Sequence, residues 1–239
     1  EAGFSVEQRL GMGSAVVYEA IRNGTVDVYV EYTGTVWANF MSRESNPGRQ
    51  GIRSGVVGFL EEQNVTTVGF TGFQNRYALA MRRDRALELG VTSIEDLIPI
   101  AAELSAGSDL EFFGRTEWFR LRDLYNMDFA DKLTFDVSLM YTAVAERQVD
   151  VISAYTTDGR VAAYDLLLLD DPRNALLAYD AMILASANAA AQPKFMQVLD
   201  TLVDSIPDEA MRQANRLVDV NGESITVALE YLRGEMTKD

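Results

Sequence analysis

A two-lobed α/β protein is what this sequence predicts, and three observations predict it. Short apolar runs alternate with amphipathic helical stretches along the 239 residues, the order that builds sheets covered by helices. One pattern occurs twice without a gap, at residues 18–33 and 141–156, pairing Tyr18/Tyr141, Ala20/Ala143, Val26/Val149, Asp27/Asp150, Val28/Val151, Tyr32/Tyr155 and Thr33/Thr156. The copies are far apart and helical patterns fill the end of the chain, as expected when a chain crosses from one lobe to another and returns. Each copy reads as a helix end, a polar turn, a short apolar strand and a Tyr-Thr loop at the end of that strand, where open α/β sheets hold ligands. Chance likeness between two βα units is the alternative.

In chain order, Glu1-Ala-Gly-Phe4 reads as the last turn of a helix closed by its glycine, followed by a strand over Ser5–Leu10. A domain rarely opens on a helix end, so a strand and a helix are expected to be missing upstream. Gly11-Met-Gly13-Ser14 leads into a helix over Ala15–Arg22. Strand, Gly-x-Gly and helix suggest a dinucleotide fingerprint. Val16 stands where the third glycine belongs, and a tight turn with Ser14 as N-cap is the better reading. A strand over Val26–Val30, a loop over Ser42–Gly51, a helix over Ile52–Glu62, a strand over Val65–Phe70, a turn at 71–75 and a strand over Tyr77–Met81 follow.

Thr92-Ser-Ile-Glu95 reads as a capping box opening a helix from Ser93 to Ile98. Leu110–Phe113 is read as a strand, Arg115–Tyr125 as an amphipathic helix and Leu133–Asp136 as a strand. Ser138 caps the helix of the second repeat copy, which leads to a strand at Val149–Ser153 and the loop Tyr155–Gly159. Strands at Leu166–Leu169 and Tyr179–Leu184 precede helices over Gln192–Ser205, Asp208–Leu217 and Ser224–Arg233. Lobe 1 is expected to comprise residues 1–79 and 182–239, and lobe 2 residues 80–181. The crossings are placed near Tyr77–Arg82 and Leu177–Leu184, two connections that make a hinge able to close on a ligand.

Composition narrows the function. A net charge of −15 argues against nucleic acid and anionic membrane surfaces as partners. With neither Cys nor His in the chain, thiolate catalysis, disulfides, the usual zinc sites and Ser-His or Cys-His nucleophile pairs are excluded. No metal site and no cofactor are expected. No run reaches the length of a membrane span, and no signal peptide is present, so either it has been removed or the protein is cytoplasmic.

Aromatic residues carry the chemistry that remains. Several aromatic faces around a quaternary ammonium hold it by cation–π attraction, without the hydrogen bond such a cation cannot donate. Tyr32 and Tyr155 are read as such faces. Tyr18, Tyr29 and Tyr141 are read as half-buried packing with their hydroxyls hydrogen-bonded. Thr33, Thr35, Thr156 and Thr157 offer hydroxyls to a ligand's polar tail, and an Arg would pair a ligand carboxylate. An enzyme would have to work with Glu31, Asp158 or Asp180, for each of which a solvated or capping role is the more ordinary one. The repeated Asp27 and Asp150, just before strands, are read as structural.

Three stretches carry a resemblance: Asp27-Val-Tyr-Val-Glu-Tyr-Thr-Gly-Thr35, Gly72-Phe-Gln-Asn-Arg-Tyr-Ala-Leu79 and Ala154-Tyr-Thr-Thr-Asp-Gly-Arg-Val-Ala-Ala-Tyr-Asp-Leu166. They resemble the signature stretches of the glycine betaine/choline-type substrate-binding proteins of ABC transporters, and the resemblance runs from Glu1 almost to the C-terminus. It implies the type II periplasmic-binding-protein fold, with two lobes, two hinge crossings and a ligand cleft between them. It also implies a small quaternary ammonium ligand in an aromatic cage, delivery to a membrane permease, a monomer, no enzyme activity, and a periplasmic or other extracytoplasmic location.

By motif position, Tyr32 matches a cage tyrosine, Thr35 a contact to the ligand tail, Tyr155 a second cage tyrosine and Tyr179 a third. A fourth aromatic is expected from the region of Phe73 and Tyr77. Arg115 is the choice for gripping a ligand carboxylate, with Arg120 as the alternative. The chain departs from the family where Thr71 replaces a common Tyr and Leu177-Ala178 replaces Pro-Pro before Tyr179-Asp180. The family's N-terminal strand and its following loop are expected to be absent. A ligand-sensing module of the same fold, or a binding protein for a different small zwitterion, is the alternative function.

Overall fold

The computed structural model describes residues 3–236. The helix end expected at Glu1–Phe4 therefore falls partly outside the described residues, and Ser5–Leu10 has no regular structure, contrary to the expected strand. Its apolar side chains find no core, since Val6 and Leu10 are both exposed. The first helix, α1, covers Ser14–Arg22 with Gly13, not Ser14, at its N-cap. With no strand before it, the Gly-x-Gly is a turn, and Gly11 adopts a positive φ of 74°.

Strand β1 covers Val28–Tyr32. The Tyr-Thr loop that follows is helical: α2 over Thr33–Thr35 runs into a π-helical turn at Val36–Phe40. Then come α3 (Gly48–Glu62), β2 (Val65–Gln74) and β3 (Tyr77–Arg82). The turn expected at 71–75 is the irregular end of β2, where the register slips between Phe70 and Gln74. Next are α4 (Arg83–Leu89) and α5 (Ile94–Leu97), whose capping box lies one residue later than expected, between Ser93 and Asp96. Backbone N–H groups of Thr92 and Ser93 hold the Asp96 carboxyl down at about 2.

Strand β4 (Ser105–Ser108) lies where the sequence showed none, and the strand expected at Leu110–Phe113 is a 3₁₀ turn at Phe112–Gly114. Helix α6 (Thr116–Tyr125), β5 (Asp131–Thr134) and α7 (Val137–Ala145) follow, with Asp136 rather than Ser138 as the N-cap of α7. The remaining elements are β6 (Val151–Tyr155), α8 (Gly159–Ala163), β7 (Leu166–Leu168), β8 (Asp180–Ser186), α9 (Ala187–Ala190), α10 (Pro193–Asp200), α11 (Asp208–Asp219) and α12 (Ile225–Met236).

Two units result. The first comprises Glu1–Gln74 and Ala178–Pro207, the second Asn75–Leu177 and Asp208–Asp239. The chain thus passes between them at Gln74/Asn75, Leu177/Ala178 and Pro207/Asp208. Residues 208–239, expected with 182–207 in the first lobe, belong to the second unit, where α11 packs on α8 and α12.

Among the described residues, the first unit holds a sheet in the order β1-β8-β2. Strand β8 runs antiparallel to both neighbours and is buried along its whole length. Helix α3 lies on β2 and sends Ile52, Val56 and Leu60, one turn apart, into the core. From the same helix Arg49 and Arg53 reach Asp180 at the start of β8. Asp180 Oδ1 accepts from Arg49 Nε at 2.8 Å and Nη2 at 2.6 Å, and from Arg53 Nη2 at 2.7 Å.

The second unit holds a five-stranded sheet in the order β5-β4-β6-β3-β7. Strand β4 pairs in parallel with β5 and β6, and β3 antiparallel with β6 and β7. Strands β3 and β6 are apolar and buried on both faces, as central strands between helical layers must be. One core cluster joins Leu79, Met81, Leu97, Trp118, Leu121 and Tyr125, and another packs Met140, Tyr141 and Val144 of α7 against Ile152 and Ala154. The repeat maps onto corresponding elements, α1–β1 in the first unit and α7–β6 in the second.

Gly159 opens α8 against the backbone of Asn215 and Arg216, and any Cβ there would overlap Arg216. Gly159→Ala should therefore cost about 1–3 kcal/mol and loosen α11, measured by urea denaturation and by faster proteolysis within 208–236.

Candidate functional site

In the first unit the site residues gather at the end of β1. Thr33 is fully buried. Its Oγ1 donates to the Ala178 carbonyl at 3.2 Å and accepts the Asp180 N–H at 2.9 Å. The repeated Tyr-Thr pair is thereby stitched to Tyr179. Gly34 completes the junction: a Cβ there would lie 2.6 Å from ring atoms of Tyr179, so the ring rests directly on the Gly34 backbone. Tyr32, Thr35 and Tyr179 are half-buried around this contact. Phe73, expected as a cage aromatic, is buried near the end of β2.

Glu31 supports the same corner. It is buried, and its Oε1 accepts the Tyr32 N–H at 2.7 Å. The Tyr29 hydroxyl reaches Oε2 in a long contact of 3.5 Å. Burial raises the Glu31 carboxyl above its ordinary value, against hydrogen bonds from Tyr32, Tyr29 and Thr35. Thr71 has turned inward, donating to the Ala181 carbonyl at 3.2 Å.

The second unit brings Tyr77 and Tyr155 together, directly opposite each other across β3 and β6. Their ring centroids are 4.9 Å apart and tilted by 33°. Tyr77 is buried and Tyr155 half-buried. Both hydroxyls converge on one carboxylate that the sequence reading missed. Asp109 Oδ2 accepts from Tyr77 at 2.9 Å and from Tyr155 at 3.0 Å, and the two hydroxyl oxygens are 3.0 Å apart. Asp109 Oδ1 accepts the backbone N–H groups of Glu111 and Phe112 at 2.8 and 2.9 Å, so Asp109 caps the 3₁₀ turn. Burial raises the Tyr77 hydroxyl far above its usual range, followed by contact with Tyr155 and the Asp109 charge. Tyr155 is raised by burial and by the Asp109 charge, against a hydrogen bond from Tyr77.

Tyr155 is held from behind. Its N–H donates to the Tyr141 hydroxyl at 2.9 Å, and the Arg160 guanidinium, paired with Asp158 at 2.6 Å, lies 4.5 Å from the Tyr141 ring centroid. Tyr141 is thus fully buried, not half-buried, and positions the strand that carries Tyr155. Its repeat counterpart Tyr18 is also buried, but its hydroxyl has no hydrogen-bond partner, contrary to expectation. The Thr157 hydroxyl is spent on Asn75 Oδ1 at 2.8 Å. The carbonyls of Thr156 and Thr157 accept from Arg212 Nε at 3.0 Å and Asn215 Nδ2 at 2.7 Å, both on α11.

Arg115, expected to grip a ligand carboxylate, is bridged to Glu111 Oε2 at 3.1 Å and to Glu117 at 3.2 and 3.3 Å. It lies 5.7 Å from the Tyr77 ring centroid. Arg120 stands half-buried on α6. The carboxylates weighed for catalysis have structural work: Glu31 accepts the Tyr32 N–H, Asp158 caps α8, and Asp180 is wholly buried against two arginines, where a solvated or capping role was expected. Asp150 does hold structure, accepting from Ser105 N and Oγ at 3.0 Å each. No group of three or more Asp or Glu able to hold a metal occurs among the described residues.

Two α/β units with Tyr-Thr corners at strand ends and a paired tyrosine site define a solute-binding protein of the periplasmic type. The chain belongs to the family described as the substrate binding domain of ABC-type glycine betaine transport systems, which matches residues 1–234. It is 30% identical over 240 residues to the carnitine transport binding protein OpuCC of Listeria monocytogenes, covering 98% of this chain and 78% of that protein. It is 28% identical over 215 residues to the ergothioneine transport permease/ergothioneine binding protein EgtU of Helicobacter pylori, covering 88% of this chain but 38% of that longer protein. A crystal structure of a glycine betaine/carnitine/choline ABC transporter protein matches with a TM-score of 0.86 at 25% identity, covering 93% of this chain and 84% of that one. No described helix is long and apolar enough to cross a membrane.

The two repeat tyrosines behind the site should respond differently to loss of their hydroxyls. Tyr141→Phe strands the buried Tyr155 N–H and should cost about 1–3 kcal/mol, whereas Tyr18→Phe removes an unpartnered hydroxyl and should be neutral or stabilising. Chemical denaturation of both variants measures this. Glu31 sets a pH dependence. Because its folded value is raised, the folded state keeps this proton to higher pH than the unfolded chain does, so its contribution is full below about 4.5 and is lost as pH rises through the raised value. Melting temperatures from pH 4 to 8 should show this fall in the native protein and a flatter profile in Glu31→Gln.

Proposed function

We propose that this chain is the solute-binding component of an ABC importer, capturing a small quaternary ammonium osmolyte in an aromatic cage and delivering it to a membrane permease. The observation that carries this reading is the Tyr77–Tyr155 pair, two electron-rich rings 4.9 Å apart with their hydroxyls tied down on Asp109. Such rings attract a trimethylammonium group, which offers no N–H to a hydrogen-bonding site. Tyr32 and Tyr179 of the first unit are assigned to the cage, with Thr35 to the ligand's polar end. Arg115 stays a candidate for that end only if a ligand draws it from Glu111 and Glu117. Phe73 and Thr157, buried and already engaged respectively, are read as supports of the cage.

The relatives favour this chemistry. One is named for carnitine and one for ergothioneine, and both compounds carry a trimethylammonium group beside a carboxylate. Capture and release, without turnover, as a monomer in the periplasm or another extracytoplasmic space, is the reading adopted here.

A thermal-shift screen tests it. A ligand that binds only the folded state adds about 2.7 kcal/mol at a hundredfold excess over Kd. Choline, glycine betaine, carnitine and ergothioneine are compared with a panel of amino acids. The expected result is a rise of several degrees confined to trimethylammonium compounds and lost in Tyr155→Ala. A shift given by unmethylated amino acids alone would sink the cage.

A further inference from the structure

We propose that Asp109 makes this site select quaternary ammonium ligands of net positive charge, of the choline type, over zwitterions that carry a carboxylate. The proposal rests on the cage reading above and deepens it. Asp109 is buried. Its Oδ1 is used up by two backbone N–H groups, and its Oδ2 faces the two tyrosine hydroxyls.

Three oxygens meet there at 2.9–3.0 Å with two phenolic protons among them. One contact of the three always lacks a proton, so the cluster is rich in acceptors and holds a negative charge that nothing inside it cancels. Phenols that donate to a carboxylate gain π-electron density, which strengthens their pull on a cation. The Asp109 charge adds a direct attraction in a site of reduced dielectric.

Two guanidiniums are described against the pair: that of Arg115 is already bridged to Glu111 and Glu117, and Nη1 of Arg76 donates to the Tyr77 carbonyl at 3.3 Å. The carboxylates of Asp109, Glu111 and Glu117 therefore outnumber the two guanidiniums around Tyr77. A ligand carboxylate entering this surrounding would meet that excess of negative charge, relieved only by drawing Arg115 from its two partners or Arg76 from the Tyr77 carbonyl. A ligand ending in a hydroxyl would need neither, and could donate to the proton-poor cluster.

Isothermal titration of the intact protein and of Asp109→Asn, with choline, glycine betaine and the uncharged choline isostere 3,3-dimethylbutan-1-ol, tests the assignment. Asn keeps Oδ1 for the two backbone donors, removes the charge, and puts an amide donor where Oδ2 accepted the two hydroxyls. The native protein should bind choline at least about tenfold more tightly than betaine, and the isostere more weakly than choline by a larger factor. Asp109→Asn should weaken choline about tenfold or more while betaine changes less than about threefold. Betaine bound as tightly as choline, or both weakened equally by Asp109→Asn, would overturn the proposal while leaving the cage intact. No binding of either trimethylammonium compound to the native protein would instead overturn the cage reading, and the role of Asp109 with it. If Asp109→Asn fails to fold, the choline-to-betaine and choline-to-isostere ratios of the native protein decide the matter alone.

Discussion

A carboxylate wholly removed from solvent must be neutralised where it stands, and Asp180 is such a group. Two arginines one helical turn apart on α3 close on its Oδ1. That clamp fixes the start of β8, the middle strand of its sheet, and with β8 the positions of both neighbours. Asp180 also presents its N–H to Thr33, so the corner after β1 is registered on the same point. Tyr179 is the next residue back, and Gly34 leaves room for its ring. The first unit's share of the site is therefore a consequence of one buried charge rather than of a loop free to choose its shape.

The second unit reaches a similar end by other means. Here hydrogen bonds made by tyrosines secure the strand end. The Tyr155 N–H instead finds the hydroxyl of Tyr141, and the Tyr155 hydroxyl finds Asp109. Tyr141 occupies the repeat position of Tyr18, whose hydroxyl has no partner. The repeated pattern thus preserves a helix-to-strand passage and a Tyr-Thr corner, while the polar groups that secure each corner differ. Edge strand β1 and interior strand β6 sit in different sheets, and their surroundings required different solutions.

Much of this was legible in the chain. Alternating patterns gave the class, and the repeat gave the two corners with Tyr32 and Tyr155, because local apolar periodicity and short-range loop chemistry are written in adjacent residues. Strand β4 was not legible: Ser-Ala-Gly-Ser is a poor strand former by composition, and only its parallel neighbours make it one. Asp109 was hidden for a related reason. Reading Leu110–Phe113 as a strand concealed that an Asp followed by donors two and three residues on is a cap. The lobe of the last helices was misassigned because the contacts that settle it, from Arg212 and Asn215 to the carbonyls of Thr156 and Thr157, join residues far apart in sequence. The roles of Arg49, Arg53 and Tyr141 depend on the same kind of distant pairing.

Those two carbonyl contacts have a consequence for biosynthesis. A ribosome delivers Thr156 and Thr157 well before Arg212 and Asn215, and domains form in the order in which their parts emerge. Until the later helix arrives, these two carbonyls lack their donors on α11, and Gly159 lacks the Arg216 backbone it packs against. The second unit is therefore completed after the first, whose last residue is Pro207. A nascent chain halted short of α11 would carry a finished first unit and an unfinished tyrosine site.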